Sequence, residues 1–346
     1  MKPQIYQRIT PSNDRGNSRK FSKFSSKYTL EEVISHNSCF EIAKAFSISE
    51  KKIYAAKFSF PSKYLTENKI AKEAMILGKL GTKEGFPSFK EVLFNESDEI
   101  LIMSYLGPNL LELTKDFGGR LSLKSILMIG IQGIKRIEDL HNVHYLHRDI
   151  KPENFVIGVE EGSRGKIHLI DFNLSTSYLD DDHEHIKLKK TTKTVGNVCC
   201  LSIFGHLHIE ASRRDDLISF GYMLVLLFNG TLPWLKMAGT PAETVKMIRE
   251  TKANIPYLKL CEGLPEEFVD YFEEVIKTDF YEKPDYEYLI GLFEQAMKKK
   301  GFINDCVFEW NLPKNLNNNG INLFARKMGP DLNIYAKKLN DSEGMP

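Results

Sequence analysis

The run HRDIKPENFVIG at 147–158, with HLIDFNL following at 168–174, constrains this chain more than any other stretch. Asp149, Lys151, Asn154 and Asp171 are the side chains phosphoryl transfer calls for. They offer a carboxylate to orient a hydroxyl and take its proton, a cation for the moving phosphoryl charge, and oxygen ligands for magnesium. A helix reads into the first run and the strand KIHLI into the second. H-R-D-x-K-P-x-N with D-F downstream is too specific for a chance acidic loop.

The flanking segments supply matching parts. In KIYAAKF, 52–58, the strand period of two puts Ile53, Ala55 and Lys57 on one face. TENKIAKEAMILGKLG, 66–81, reads as a helix capped by Thr66 and stopped by Gly81, and it carries Glu73. Lys57 and Glu73 can therefore form the ion pair that fixes a nucleotide's phosphates. ILIM, 100–103, reads as a short buried strand, and Gly107-Pro108 as a hinge after it. Beyond the hinge helices dominate, among them a long one from Ser122 with Ile131, Ile134, Ile137 and Leu140 at helical spacing.

With 346 residues, 42% of them hydrophobic, the chain can bury one large core or two lobes. LISFGYMLVLLF, 217–228, is too short to cross a bilayer and reads as a helix at the centre of the larger lobe. Lys plus Arg number 47 against 46 for Asp plus Glu, so global charge argues neither for nucleic acid nor for an anionic membrane, and neither is expected as a partner. Five cysteines without a C-x-x-C spacing suit a reducing compartment. MKPQIYQRIT has no apolar signal core, so the expected location is cytoplasmic, with the nucleus or a cytoskeletal assembly open. The expected organisation is a basic arm at 1–27, a small lobe at 28–107, a helical lobe at 108–312 and a tail at 313–346.

Over residues from about Tyr28 to Trp310 the chain resembles the protein kinase fold, and more narrowly the casein kinase 1 family. LGPNLLEL at 106–113, SRRDDLISFGYMLVLLFNGTLPW at 212–234, KPDYEYLIGLF at 283–293 and VFEWN at 307–311 carry the narrower resemblance. It implies an α+β bilobal architecture: an antiparallel sheet with one helix, over a mainly helical lobe. It also implies a serine/threonine protein kinase using ATP and Mg²⁺ on a protein substrate. By position, Asp149 would be the base, Lys151 would steady the phosphoryl group, and Asn154 and Asp171 would hold the metal. Lys57, oriented by Glu73, would pin the phosphates. Ile34, Ile42, Ala55 and Val156 would enclose adenine, with Met103 at the back and Ser104 and Leu106 offering backbone bonds. Asp216 would brace the catalytic loop, and Phe172, His147 and Leu77 would join the column linking the lobes.

The departures bear on competence. The three glycines of the family's phosphate loop become Ser35, Asn37 and Phe40. Asn173 stands where glycine follows Asp-Phe, a position expected to visit left-handed φ, which Asn tolerates best among non-glycine residues. Basic residues that would hold a substrate's own phosphate align with Cys199 and Ala238, and KLKKTTK at 187–193 is a second source of positive charge. Two readings stay open: a working kinase, with the Phe40 ring expected to point away from the triphosphate space, or a pseudokinase serving as a scaffold in a larger protein assembly. A Phe40 ring packed on Lys57 would favour the scaffold.

Overall fold

The computed structural model describes residues 25–36, 40–59, 69–94, 99–192, 194–237 and 239–312. The arm before residue 25, the tail after 312, Asn37, Thr66 and Ala238 lie outside the described residues.

Five strands form the small lobe's sheet: β1 (Tyr28–His36), β2 (Phe40–Ser47), β3 (Lys52–Ser59), β4 (Phe89–Phe94) and β5 (Glu99–Ser104). They run antiparallel in the order β1-β2-β3-β5-β4. Alternation splits their side chains between two apolar layers. Tyr28, Ala43, Ala45, Tyr54, Ala56, Phe58, Ile100 and Ile102 close the outer face. Phe40, Ala55, Leu101 and Met103 face the other way and merge with the core shared with the helices. Helix α1 (Lys69–Leu80) buries Ile70, Glu73, Ile76, Leu77 and Leu80 against that inner face.

The chain leaves β5 through an irregular segment at 105–108, where Gly107 N–H donates to Ile157 O at 2.8 Å. The helical lobe then begins with α2 (Leu110–Thr114) and α3 (Leu123–Asn142), the latter capped by Ser122. Short strands β6 (Tyr145–Leu146), β7 (Phe155–Ile157), β8 (Ile167–Leu169) and β9 (Thr176–Ser177) pair as β6-β9 and β7-β8, and they carry the catalytic-type loop. Five further helices follow: α4 (Ile203–His206), α5 (Arg213–Asn229), α6 (Pro241–Asn254), α7 (Tyr257–Leu260) and α8 (Glu267–Lys277). The last described, α9 (Tyr286–Lys300), packs on α3.

Helix α5 is buried from Asp215 to Leu227, as expected for a helix apolar on nearly every face. It packs on α3 at Gly133, where a Cβ would stand 2.2 Å from the Phe220 ring, so glycine leaves room for that ring against the α3 backbone. The architecture is α+β and bilobal, and its cleft lies between the sheet's inner face and the β7-β8 hairpin.

Candidate active site

Lys57 is the centre of the cleft. Ile42 is its cross-strand partner on β2 and Leu101 on β5, so the lysine projects from the inner face of the sheet. Its ammonium donates to Glu73 Oε2 on α1 at 2.6 Å and to Asp171 Oδ1 at 2.9 Å. The side chain is 2% exposed. Burial opposes charge on this ammonium, but the carboxylates of Asp171 and Glu73 outweigh it and raise the Lys57 pKa. Burial would also raise Asp171, yet Lys57 overrides that and holds it below the usual carboxylate value. Glu73, fully enclosed, is raised by desolvation despite its partner.

Asp149 is fixed from three sides. Its Oδ2 accepts from Lys151 Nζ at 2.5 Å and from Asn154 Nδ2 at 3.2 Å, and its Oδ1 accepts the backbone N–H of Asn197 at 2.9 Å. Asn154 Nδ2 also reaches Asp149 O at 2.8 Å, tying the loop to itself. Burial lowers the Lys151 pKa, but the attraction of Asp149, with smaller help from Asp171, raises it overall. Beneath the loop, Asp216 of α5 accepts the N–H groups of His147 and Arg148 at 2.7 and 2.8 Å and pairs with His141 Nε2 at 2.9 Å. The His147 ring meets Phe172 edge-on at 5.5 Å, and Phe172 and Leu77 belong to one core. These residues converge although they come from both lobes.

The residues expected to enclose adenine are placed unevenly. Ala55 and Met103 face each other across β3 and β5, and Val156 is buried on β7, bridged to Asn109. Ile42 is half-buried. Ser104 gives its N–H to Ser88 O. Leu106 is half-buried in the inter-lobe segment. Ile34, at a bulge in β1, is 46% exposed.

Two expectations are overturned. The Phe40 ring does not point to solvent: it is 4% exposed and its centroid lies 4.7 Å from Lys57 Nζ. The reason is register. Phe40 opens β2 on the face that Ile42 and Lys57 occupy, and an ammonium attracts an aromatic face. Asn173 is not the left-handed residue either. It sits within a 3₁₀ turn, Phe172–Leu174, and Asp171 takes φ 69° instead. The Asn173 amide donates to Asp171 Oδ1, while its own buried Oδ1 has no hydrogen-bond partner among the described residues.

Sequence reasoning missed Gly196 and Asn197. Gly196 has φ 99°, and a Cβ there would lie 2.2 Å from Arg148 O, so this glycine lets the segment approach the loop and deliver the Asn197 N–H to Asp149. Gly196→Ala is expected to cost about 2 kcal/mol of stability. Phosphoryl transfer should fall at least about tenfold through misplacement of Asp149; urea melts and initial rates check the two effects.

The same segment is anchored below by Lys252 of α6, which donates to the carbonyls of Val198 and Leu201 at 3.1 and 2.7 Å. Burial pushes the Lys252 pKa down to about 7. An unfolded lysine titrates near ~10.4, so between these values the unfolded chain holds the extra proton, and this group makes stability rise with pH. Lys252→Met is expected to remove that rise, read as a stability difference from the parent that changes between pH 7 and pH 9. DDDHEH, at 180–185, is a turn in which the Asp180 carboxylate accepts the N–H groups of Asp182 and Glu184. No group of three or more His, Cys, Asp or Glu able to hold a metal ion occurs among the described residues.

A two-lobed fold whose cleft holds one ammonium bridged by two carboxylates, above a lysine-paired aspartate, has the parts of a phosphotransferase. The protein kinase domain model matches residues 28–298, and the chain belongs to that family.

Proposed function

We propose that this chain is a serine/threonine protein kinase of the casein kinase 1 type, moving the γ-phosphoryl group of ATP to a protein hydroxyl with weakened loop contacts. The observation that carries the reading is the interlocked polar set: Lys57 on Glu73 and Asp171, and Asp149 on Lys151, Asn154 and Asn197. The residue types that phosphoryl transfer calls for are thus all present and bonded together in one place.

The donor set fits ATP and Mg²⁺ in part. Asp171 and Asn154 offer one carboxylate and one amide oxygen, the sparse protein share magnesium takes when phosphates complete its shell. Ala55, Met103 and Val156 offer buried apolar side chains against which adenine would pack. Bound Mg-ATP supplies the electrophilic phosphorus and the neutralised leaving group. The chain's own work is positional. Asp149, held on both oxygens, orients the substrate hydroxyl and takes its proton as the bond forms. Lys151 stands beside it to balance the charge of the transferring group. Asp216 keeps the loop from relaxing.

The misfit is Phe40 on Lys57, and this contact favours a second reading, a pseudokinase that works as a binding module. Incubation with labelled Mg-ATP and an acidic protein, followed by phosphoamino-acid analysis, separates the two. Phosphoserine or phosphothreonine supports the kinase. Absence of any labelled product, with nucleotide bound, supports the module.

Casein kinase 1 relatives that need a phosphate already on the substrate use basic side chains where this chain has Cys199 and Ala238. We therefore propose a protein substrate chosen without such a phosphate, in a cytoplasmic setting. We also propose the division into arm 1–27, small lobe 28–107, helical lobe 108–312 and tail 313–346.

A further inference from the structure

We infer that Phe40 sets the ligand class of the cleft: a nucleoside enters with the ring in place, whereas a nucleoside triphosphate enters only after the ring leaves Lys57. The inference rests on the nucleotide-site reading above and concerns which part of the nucleotide the resting cleft accepts.

The position of the ring along β3 is decisive. Ala55, Lys57 and Ser59 follow one another on the inner face, and Phe40 pairs with Ser59 while Ile42 pairs with Lys57. Each step of two residues along a strand covers roughly 6.6–6.8 Å. The ring therefore stands on the far side of Lys57 from Ala55 and Met103. It covers the phosphate end of the cleft and leaves the adenine end alone.

Two of the ammonium's three N–H donors are already taken, by Glu73 and Asp171 at 2.6 and 2.9 Å. The Phe40 ring, 4.7 Å from Nζ, covers a further side of a lysine that is 2% exposed. A phosphate oxygen needs to come within about 3 Å of that nitrogen. With two sides taken by carboxylates and the ring on a further side of a lysine this buried, a phosphate oxygen reaches the nitrogen by displacing the ring. Lys69 Nζ lies 5.6 Å from the same ring, so two cations attract the aromatic side chain.

A desolvated cation–π contact corresponds to roughly tenfold to thirtyfold in an equilibrium constant. The triphosphate's affinity is reduced by the cost of breaking it, and an uncharged nucleoside escapes that cost. The opposite arrangement, glycine at this place, would expose the ammonium directly.

Calorimetric titration of the full chain with adenosine and, separately, Mg-ATP tests this, using the parent protein, Phe40→Gly and Phe40→Ala. The parent is expected to bind adenosine at least as tightly as Mg-ATP. Both variants should gain about tenfold or more for Mg-ATP, with adenosine changing by less than about threefold. Three outcomes would overturn the inference: a parent that binds Mg-ATP far more tightly than adenosine, variants that gain equally for both ligands, or no binding of either ligand by any form. The parent comparison needs no substitution and stands if the variants fail to fold. A selective gain for Mg-ATP without transfer of labelled phosphate would leave this inference standing and sink the kinase reading.

Discussion

Asp149→Asn is expected to lower labelled-phosphate transfer by about 10²–10⁴-fold, the range for removal of a positioned general base. The amide keeps the shape of the carboxylate. It retains an oxygen that can accept the Asn197 N–H, now bonded at 2.9 Å, so the loop should keep its course. What it loses is the negative charge facing Lys151 at 2.5 Å and the ability to take a proton. Nucleotide binding, which engages other residues, should persist, and thermal shift on Mg-ATP measures that arm. Transfer undiminished by the substitution would show that the activity does not come from this cleft.

Lys57→Met is expected to destabilise the fold by about 3–5 kcal/mol, because it strands Glu73 and Asp171 without their shared cation. For the kinase domain over 28–298 this corresponds to roughly 5–9 °C in Tm. The loss has a pH signature. Without the ammonium, the Glu73 carboxyl, already raised by burial, rises further above its unfolded value. A folded-state carboxyl with a raised pKa binds protons that the unfolded chain does not, so the variant should recover stability as pH falls from 8 towards 5. Parent and variant melts across that range test it. A variant as stable as the parent at pH 8 would mean that the bridge is not the buried, tightly bonded contact described above. Methionine also takes away the cation under Phe40, so the ring loses one reason to stay in the cleft.

Much of this could be read from residue types and spacing. Asp149, Lys151, Asn154 and Asp171 are polar residues that no packing rule would place so close together, so their chemistry is visible without coordinates. Helical spacing of apolar residues gave the long helix from Ser122, and a nearly unbroken apolar run, 217–228, gave the central α5. The misreadings share a cause. Whether Phe40 turns in or out depends on the register of β2 against β3 and on a cation met only after folding. Which residue of Asp171-Phe172-Asn173 takes the left-handed conformation depends on the turn that follows. Gly196 and Asn197 matter only because a distant segment lies against the loop. Local sequence has no access to such contacts.

The end of α3 that begins the helical lobe is sealed by a residue near the far end of the described chain. Glu309 accepts the Ser122 N–H at 2.9 Å and binds the hydroxyls of Ser122 and Ser125, while Lys124 reaches Asp305 at 2.8 Å. The family match stops at 298, eleven positions short of that carboxylate. A fragment trimmed to the matched span would thus leave the first turn of its longest helix without its plug, so any recombinant boundary has to reach past Trp310, whose ring stacks on Phe308.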